Sequence, residues 1–290
     1  CREFTAVVLS CVSAKDGYAV RLDRTAFFPE GGGQYADTGT LGAAHVTDVQ
    51  LIDGDPVHYT DMPLTAGETV TGRLDYAVRF ARMQHHTGEH IVSGLLFRRF
   101  GLHNVGFHLG HNDTTLDLDG ELTRAQLGDI EREANAAVAA DIAVEIRFPS
   151  PEELKKTDYR SKKELTGAVR LVVIPGVDVC ACCAPHVSST AEVGLVKILS
   201  SERRRRGGDG VRITMLCGLD AYENFVRTHD NNAAISMLLS AKREETAAAV
   251  ERVLAEQERM KQRNAELSRA LAHLRAETLE PTDGNFIIFD

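Results

Sequence analysis

Three histidines and a glutamate fall within six positions of the segment RFARMQHHTGEHIVSG, residues 79–94. On an α-helix, His86 and His90 stand about 40° apart at ~100° per residue, one turn above the other. Two imidazoles so placed can grip one Zn²⁺ through nitrogens at about 2.0–2.1 Å. Met83 and Phe97 share their face, whereas His85 points roughly the other way and is expected to face solvent. The same letters satisfy H-x-x-E-H, the inverted zinc-peptidase motif, in which Glu89 would be the base. Taken alone, the segment leaves metal binding, peptide hydrolysis and a pair of ordinary histidines all open.

A second segment, VCACCAPHVSSTAEVGLVKI at 179–198, supplies what the first lacks. Cys182 and His186 form C-x₃-H, and Pro185 disfavours helix for the residue before it, so the pair is expected on a tight loop between strands. One thiolate and three imidazoles (His86, His90, Cys182 and His186) make a complete four-ligand zinc set that needs no carboxylate. Cys180 and Cys183 stand beside it as alternative ligands, supporting groups or inert thiols. Four protein ligands describe a closed site, so zinc either expands its coordination, loses a loose ligand, or mainly positions a substrate. A third segment, PEGGGQYADTG, brings glycines whose backbone can approach a ligand closely, and Gln34, which can both donate and accept. GFHLGHNDTTLDLDG (106–120) could bring His108 or His111 near the same place, although either could serve as a surface histidine.

These groups need elements to hold them. Residues 1–75 are broken often by Gly, Pro and Asp, and TAVVLSCV and GYAVRL alternate like strands, which suggests a small β-barrel-like domain. Asp75 is placed to cap a helix that Gly101 would stop. A second helix is expected after Thr123, and AVEIRF, VRLVVIP, GLVKIL and VRITML are expected strands. The fold class is therefore α+β, with the zinc site in a domain over 76–218. Residues 221–279 contain neither Pro nor Gly, and Leu239, Thr246, Val253, Met260, Leu267 and Leu274 recur every seven positions. The partner column (Val250, Gln257, Asn264, Leu271) is half polar. A long helical arm over 219–279 fits, as a hairpin or a modest coiled coil through which a homodimer could form, but a strong zipper does not. GNFIIFD looks like a first strand, so 280–290 is expected to open a further domain absent from this chain.

The bulk numbers restrict the partners. The chain has 290 residues and a net charge of −9, so any hold on nucleic acid must come from local patches. The candidates are LKKTDYRSKKEL, with Lys155, Lys156, Arg160, Lys162 and Lys163, and the run Arg203 to Arg206. The first is favoured because it leads into the strand before the metal loop. No apolar run is long enough for a membrane span, and three of six cysteines crowded into CACCAPH suit a reducing compartment, which favours the cytoplasm.

The order FFPEGGGQYADTG, HTGEH, CCAPHVSSTAEVGLVKI resembles the alanyl-tRNA editing proteins, AlaX-type deacylases related to the editing domains of alanyl- and threonyl-tRNA synthetases. Their HxxxH and CxxxH motifs fall on His86, His90, Cys182 and His186, and their ExGGQ motif on Glu30, Gly32, Gly33 and Gln34. The likeness covers about 1–218, and the long helix resembles the linker of longer members. One departure is Cys183-Ala184, where relatives commonly carry two glycines. The resemblance implies a zinc-dependent trans-editing hydrolase acting at the acceptor end of mischarged tRNA(Ala), chiefly serine-charged and also glycine-charged. It implies a site containing Gly32, Gly33 and Gln34, with Thr25 near the amino-acid pocket; the reading of GFHLGHNDTTLDLDG adds His108 to the candidate catalytic residues. The rival readings are an H-x-x-E-H metallopeptidase and a non-enzymatic, zinc-stabilised RNA-binding module.

Overall fold

The structure, a computed structural model, describes residues 1–110, 113–161, 168–203, 210–278 and 284. Residues 1–224 form one compact unit and 225–290 a second. Within the first unit, six antiparallel strands close into a barrel: β1 (Glu3–Ala14), β2 (Gly17–Leu22), β3 (Gly39–Leu41), β4 (Ala44–Ile52), β5 (Asp55–Thr60) and β6 (Thr69–Leu74). Their inward residues, Val8, Val20, Leu41, Val46, Val49 and Val70 among them, fill a separate apolar core, as the strand period of two requires. The expected small barrel is thus present. The loop between β2 and β3 carries Thr25 and the Gly-rich stretch.

Helix α1 (Tyr76–Phe100) follows at once. Asp75 caps it by accepting from Val78 N, and Gly101 ends it in the left-handed conformation at φ 68°. The barrel loop is fastened to this helix by a buried ion pair. Arg79 Nε lies 2.9 Å from each oxygen of Asp37, Arg79 Nη2 also reaches that carboxylate, and it donates to Ala26 O at 2.8 Å. Leaving either charge without its partner in so dry a place would cost several kcal/mol, roughly 3–5, so the pair fixes the loop's position against the helix.

Strands β7 (Asn104–Leu109) and β8 (Thr114–Leu118), helix α2 (Arg124–Ala139), strand β9 (Glu145–Arg147), the short helix α3 (Pro151–Leu154), and strands β10 (Leu171–Ile174), β11 (Asp178–Ala181), β12 (Val196–Arg203) and β13 (Val211–Cys217) complete this unit with the start of α4. They make a three-stranded sheet in the order β11-β10-β9 and a four-stranded sheet in the order β12-β13-β8-β7. Thr123 caps α2 in a reciprocal capping box with Gln126. The core joins Ile91, Val92 and Leu96 of α1 to Ile130 and Ala134 of α2 and to Leu116, Ile213 and Met215 of the larger sheet. Packed elements therefore cover α1 on more than one side, and its middle, from Gln84 to Gly94, is buried all round.

That burial corrects one expectation. His85 does not face solvent: it is 5% exposed, with Nδ1 2.7 Å from Thr114 Oγ1 and Nε2 2.8 Å from Asp220 Oδ2. A helical wheel separates the directions of side chains, but only the neighbours decide which directions are wet.

Helix α4 (Gly218–Leu238) runs into the second unit, where a turn and α5 (Thr246–Glu277) follow. The helical run expected over 221–279 is therefore two helices. The break carries no Gly or Pro. Ser240 takes φ 47°, Ser236 Oγ donates to Ala241 O at 2.5 Å, and Asn232 Nδ2 donates to Arg243 O at 3.2 Å. Polar side chains capturing backbone in this way compete with the helix and end it. Helix α5 has 32 residues, which makes it about 48 Å long. Most of the expected strand over 284–290 lies outside the described residues, and no described helix is long and apolar enough to cross a membrane.

Candidate metal and hydrolytic site

Helix α1 delivers His86 and His90 from successive turns, and the loop leaving β11 delivers Cys182 and His186. One donor atom from each lies within 4.8 Å of the others. His86 Nε2 is 3.5 Å from Cys182 Sγ, and so is His186 Nε2. The fit to a metal shows in the other ring nitrogens, each of which has an oxygen beside it. His86 Nδ1 is 2.9 Å from Gln34 Oε1, His186 Nδ1 is 3.0 Å from Thr87 Oγ1, and His90 Nδ1 is 3.1 Å from Asp178 Oδ2. The last contact is an ion-pair distance, with the N–H aimed off the hydrogen-bond direction. An oxygen behind each imidazole fixes the tautomer that presents the opposite nitrogen to a cation, the usual surrounding of a metal site. A soft thiolate with three imidazoles is a zinc donor set.

The electrostatics agree. Burial pushes the Cys182 thiol up, but the bonds to His186, His86 and His90 outweigh it and bring it down to about 2. Burial and the charge of His90 hold His186 down to about 3. His90 itself is driven down by burial, yet it stays well above its ordinary value because its neighbours Cys180, Asp178, Cys182 and Glu89 favour the protonated ring. The site thus holds a thiolate ready for a cation. Cys183 is exposed and belongs to neither donor group found among the described residues.

The Gly-rich stretch forms one wall. Gly31 and Gln34 exchange backbone hydrogen bonds at 3.1 Å across a tight turn, with Gly32 at φ 63° and Gly33 at φ 84° between them. Positive φ at both central positions is the turn that glycine favours. Gly33 O accepts from Leu109 N at 2.8 Å, which docks the turn on β7. Phe107 of β7 then packs on the His86 ring at 4.8 Å between centroids. Gln34 is buried, and its Oε1 faces His86. If His86 Nε2 serves the metal, Nδ1 carries the proton, and the oxygen rather than the amide nitrogen of Gln34 must face it. Gln34 Nε2 is thereby turned away, and no described residue accepts from it.

The remaining expected residues separate. Thr25 Oγ1 sits 2.8 Å from His58 Nε2 and accepts from Phe27 N at 3.0 Å. His108 is exposed and follows Phe107 along a strand, so it faces away from His86 and meets the Tyr35 ring at 5.9 Å. It does not join the donor group, and the strand period is the reason. Arg160 is not a free cation for phosphate: its guanidinium grips Asp178 at 2.7 and 2.9 Å and its side chain is 10% exposed. Lys155 and Lys156 are exposed, whereas Lys162, Lys163, His111 and Arg204 to Arg206 lie outside the described residues. Arg203 pairs with Glu121 at 2.6 Å. Asp178, Thr87 and His58 escaped sequence reading. Each acts through a distant partner, and no local spacing marks them.

Residues 169–212, which carry the donor loop between β11 and β12, match the family described as the second additional domain of threonyl and alanyl tRNA synthetases. The class is thus a synthetase-type domain with a Cys/His donor site, joined here to a six-stranded barrel. Over 288 residues the chain is 30% identical to the alanyl-tRNA editing protein Aarsd1 of Mus musculus, spanning 93% of this chain and 69% of that protein. The Aarsd1 protein of Rattus norvegicus is 30% identical over 295 residues, spanning 96% and 71%. The alanine–tRNA ligase of Natronomonas pharaonis is 36% identical over 291 residues, spanning 94% of this chain but 31% of that enzyme. The chain belongs to the alanyl-tRNA editing protein family.

Proposed function

We propose that this chain is an aminoacyl-tRNA deacylase that hydrolyses the ester between a wrong amino acid and the terminal ribose of tRNA(Ala), serine first and glycine second. A pocket shaped for alanine rejects an added hydroxyl poorly, so fidelity needs a second, hydrolytic site. The observation that carries the reading is the Gln34 amide, whose oxygen is held by His86 of the donor set while its buried N–H groups have no acceptor among the described residues.

His86, His90, Cys182 and His186 would hold zinc, which supplies positive charge and Lewis acidity beside the ester carbonyl. The chain's own groups do the rest. When water adds to the carbonyl carbon, charge develops on the carbonyl oxygen, and Gln34 Nε2, which has no acceptor among the described residues, would donate to it. The Gly31–Gln34 turn keeps that amide in place through Leu109 and His86. Thr25 suits a serine side chain. His58 Nδ1 lies 3.2 Å from Val20 O and donates there, so Nε2 is the acceptor and the Thr25 hydroxyl gives it its proton. A lone pair of Thr25 then remains for the serine hydroxyl.

Exposed Lys155 and Lys156, with Lys162 and Lys163 proposed on charge alone, would meet the phosphates of the acceptor end, with affinity that falls as salt rises. Val253, Met260, Leu267 and Leu274 are exposed at seven-residue spacing on α5 and suit a second copy of this chain, with Asn264 as a polar position in the seam. A cytoplasmic location fits a tRNA substrate. The peptidase reading fares worse, because the buried Glu89 carboxylate accepts from Ser93 Oγ at 2.6 Å and from Asn104, and the donor set closes without it.

The test is single-turnover release of labelled serine from mischarged tRNA(Ala), with metal analysis on the same samples. The zinc-loaded protein is expected to release serine well above the uncatalysed rate, and His90→Ala to lose zinc and release together. Equal, background release by both proteins overturns the deacylase reading and favours a zinc-stabilised RNA-binding module.

A further inference from the structure

His90 belongs to two donor groups at once. One is His86, His90, Cys182 and His186, and the other is His90, Asp178 and Cys180, fully buried. The second arises from strand alternation: β11 turns Asp178 and Cys180 to its buried face and Val179 and Ala181 to the other. Asp178 can press against α1 only because residue 94 is glycine. A Cβ there would lie 2.7 Å from Asp178 Cβ and 2.6 Å from Val177 O. An imidazole, a carboxylate and a thiol in a dry pocket would compete for the same cation.

Arg160 lies against this competitor. Its Nε and Nη2 take the two oxygens of Asp178 at 2.7 and 2.9 Å, a fork that lysine cannot reproduce. Its backbone is pinned as well: Arg160 N donates to Val179 O at 2.8 Å, and Ala181 N donates to Arg160 O at 2.9 Å. The guanidinium is therefore fixed to the strand that ends one residue before Cys182. It commits both carboxylate oxygens and brings a permanent positive charge beside the donor group that Asp178 belongs to. Asp178 Oδ2 still faces His90 Nδ1 at 3.1 Å, which leaves His90 Nε2 for the Cys182 side.

We infer that Arg160 and Asp178 are positioning residues that choose between the two overlapping donor groups, holding His90 in the Cys182 group and keeping the metal out of the Cys180 group. The inference rests on the zinc reading of the site, and nothing in it depends on tRNA.

The experiment uses the full chain, measuring zinc affinity against a chromophoric chelator and recording the spectrum with cobalt(II) in place of zinc. In the parent protein, Cys182→Ser is expected to abolish the cobalt–thiolate band and Cys180→Ser to leave it unchanged. Arg160→Met and Asp178→Asn are each expected to weaken zinc binding by roughly 10–100-fold, the usual effect of losing a group behind a ligand. In the Arg160→Met background, Cys180→Ser is expected to diminish the cobalt–thiolate band, because the second group is now open. Asp178→Asn keeps the side chain's shape and carries the affinity measurement if Arg160→Met does not fold; because Asp178 is itself a donor of the second group, no Cys180-dependent band is expected from it. A parent that takes up neither ion overturns the zinc reading, and this inference with it. A parent that binds both, matched in affinity and spectrum by Arg160→Met and Asp178→Asn, overturns this inference alone.

Discussion

Replacing Gly33 with alanine tests whether the turn positions the chemistry. A Cβ at Gly33 would lie 2.5 Å from Phe107 O and 3.0 Å from Phe107 Cδ1. An ordinary carbon–oxygen contact begins near about 3.3 Å, so the turn must retreat from β7 by roughly 0.8 Å. The φ of 84° adds a left-handed penalty of about 1–2 kcal/mol for any residue with a Cβ. The retreat carries Gln34 with it, and a misplacement of about 1 Å can cost ~10²-fold in rate. Gly32→Ala is the matched control: its φ is 63°, but nothing lies within 4 Å of the added carbon. It shares the backbone strain and not the displacement. In single-turnover release of serine from mischarged tRNA(Ala), Gly33→Ala is expected to be slower by roughly 30–100-fold and Gly32→Ala to stay within about threefold of the parent. Zinc content should match the parent in both, since Gln34 meets His86 at Nδ1 and not at the nitrogen that faces Cys182. A Gly33→Ala protein as fast as the parent, or two variants slowed alike, would refute the positioning argument.

Three further outcomes are expected. Gln34→Glu keeps an acceptor for His86 Nδ1 but loses the amide donor, so single-turnover deacylation should fall by roughly 10²–10³-fold with zinc retained; an unchanged rate removes Gln34 from the chemistry. Thr25→Val should slow release from serine-charged tRNA more than from glycine-charged tRNA, because a site that hydrogen-bonds a hydroxyl loses most with the substrate that carries one; equal slowing would rule out that contact. His58 is held below its ordinary value by burial, which outweighs the bond to Val20 O, so the unfolded chain binds a proton there more readily than the native one. Its contribution to stability should be full above about pH 6.5 and fade as pH falls through the lowered native value. Urea unfolding at several pH values should show a flatter dependence for His58→Gln, and an identical slope would show that another group sets it.

What the chain alone determined was local. The period of 3.6 puts His86 and His90 on neighbouring turns wherever the helix lies, and Asp75, Gly101 and Thr123 mark ends that depend only on nearby backbone groups. The C-x₃-H pair that encloses Pro185 and the glycines before Gln34 were legible for the same reason. Tertiary structure decided which of these groups meet and which directions are dry. His85 looked solvent-facing on its helix, yet Thr114 and Asp220 close over it from 29 and 135 positions away. Arg160 looked like one more phosphate contact in a basic run, and Asp178 turned it inward. The Gln34–His86 contact joins a barrel loop to a helix 52 positions on. The physical reason is common to all three: a side chain's charge and direction are properties of the residue and its turn, whereas its solvent and partners belong to whatever the fold packs beside it.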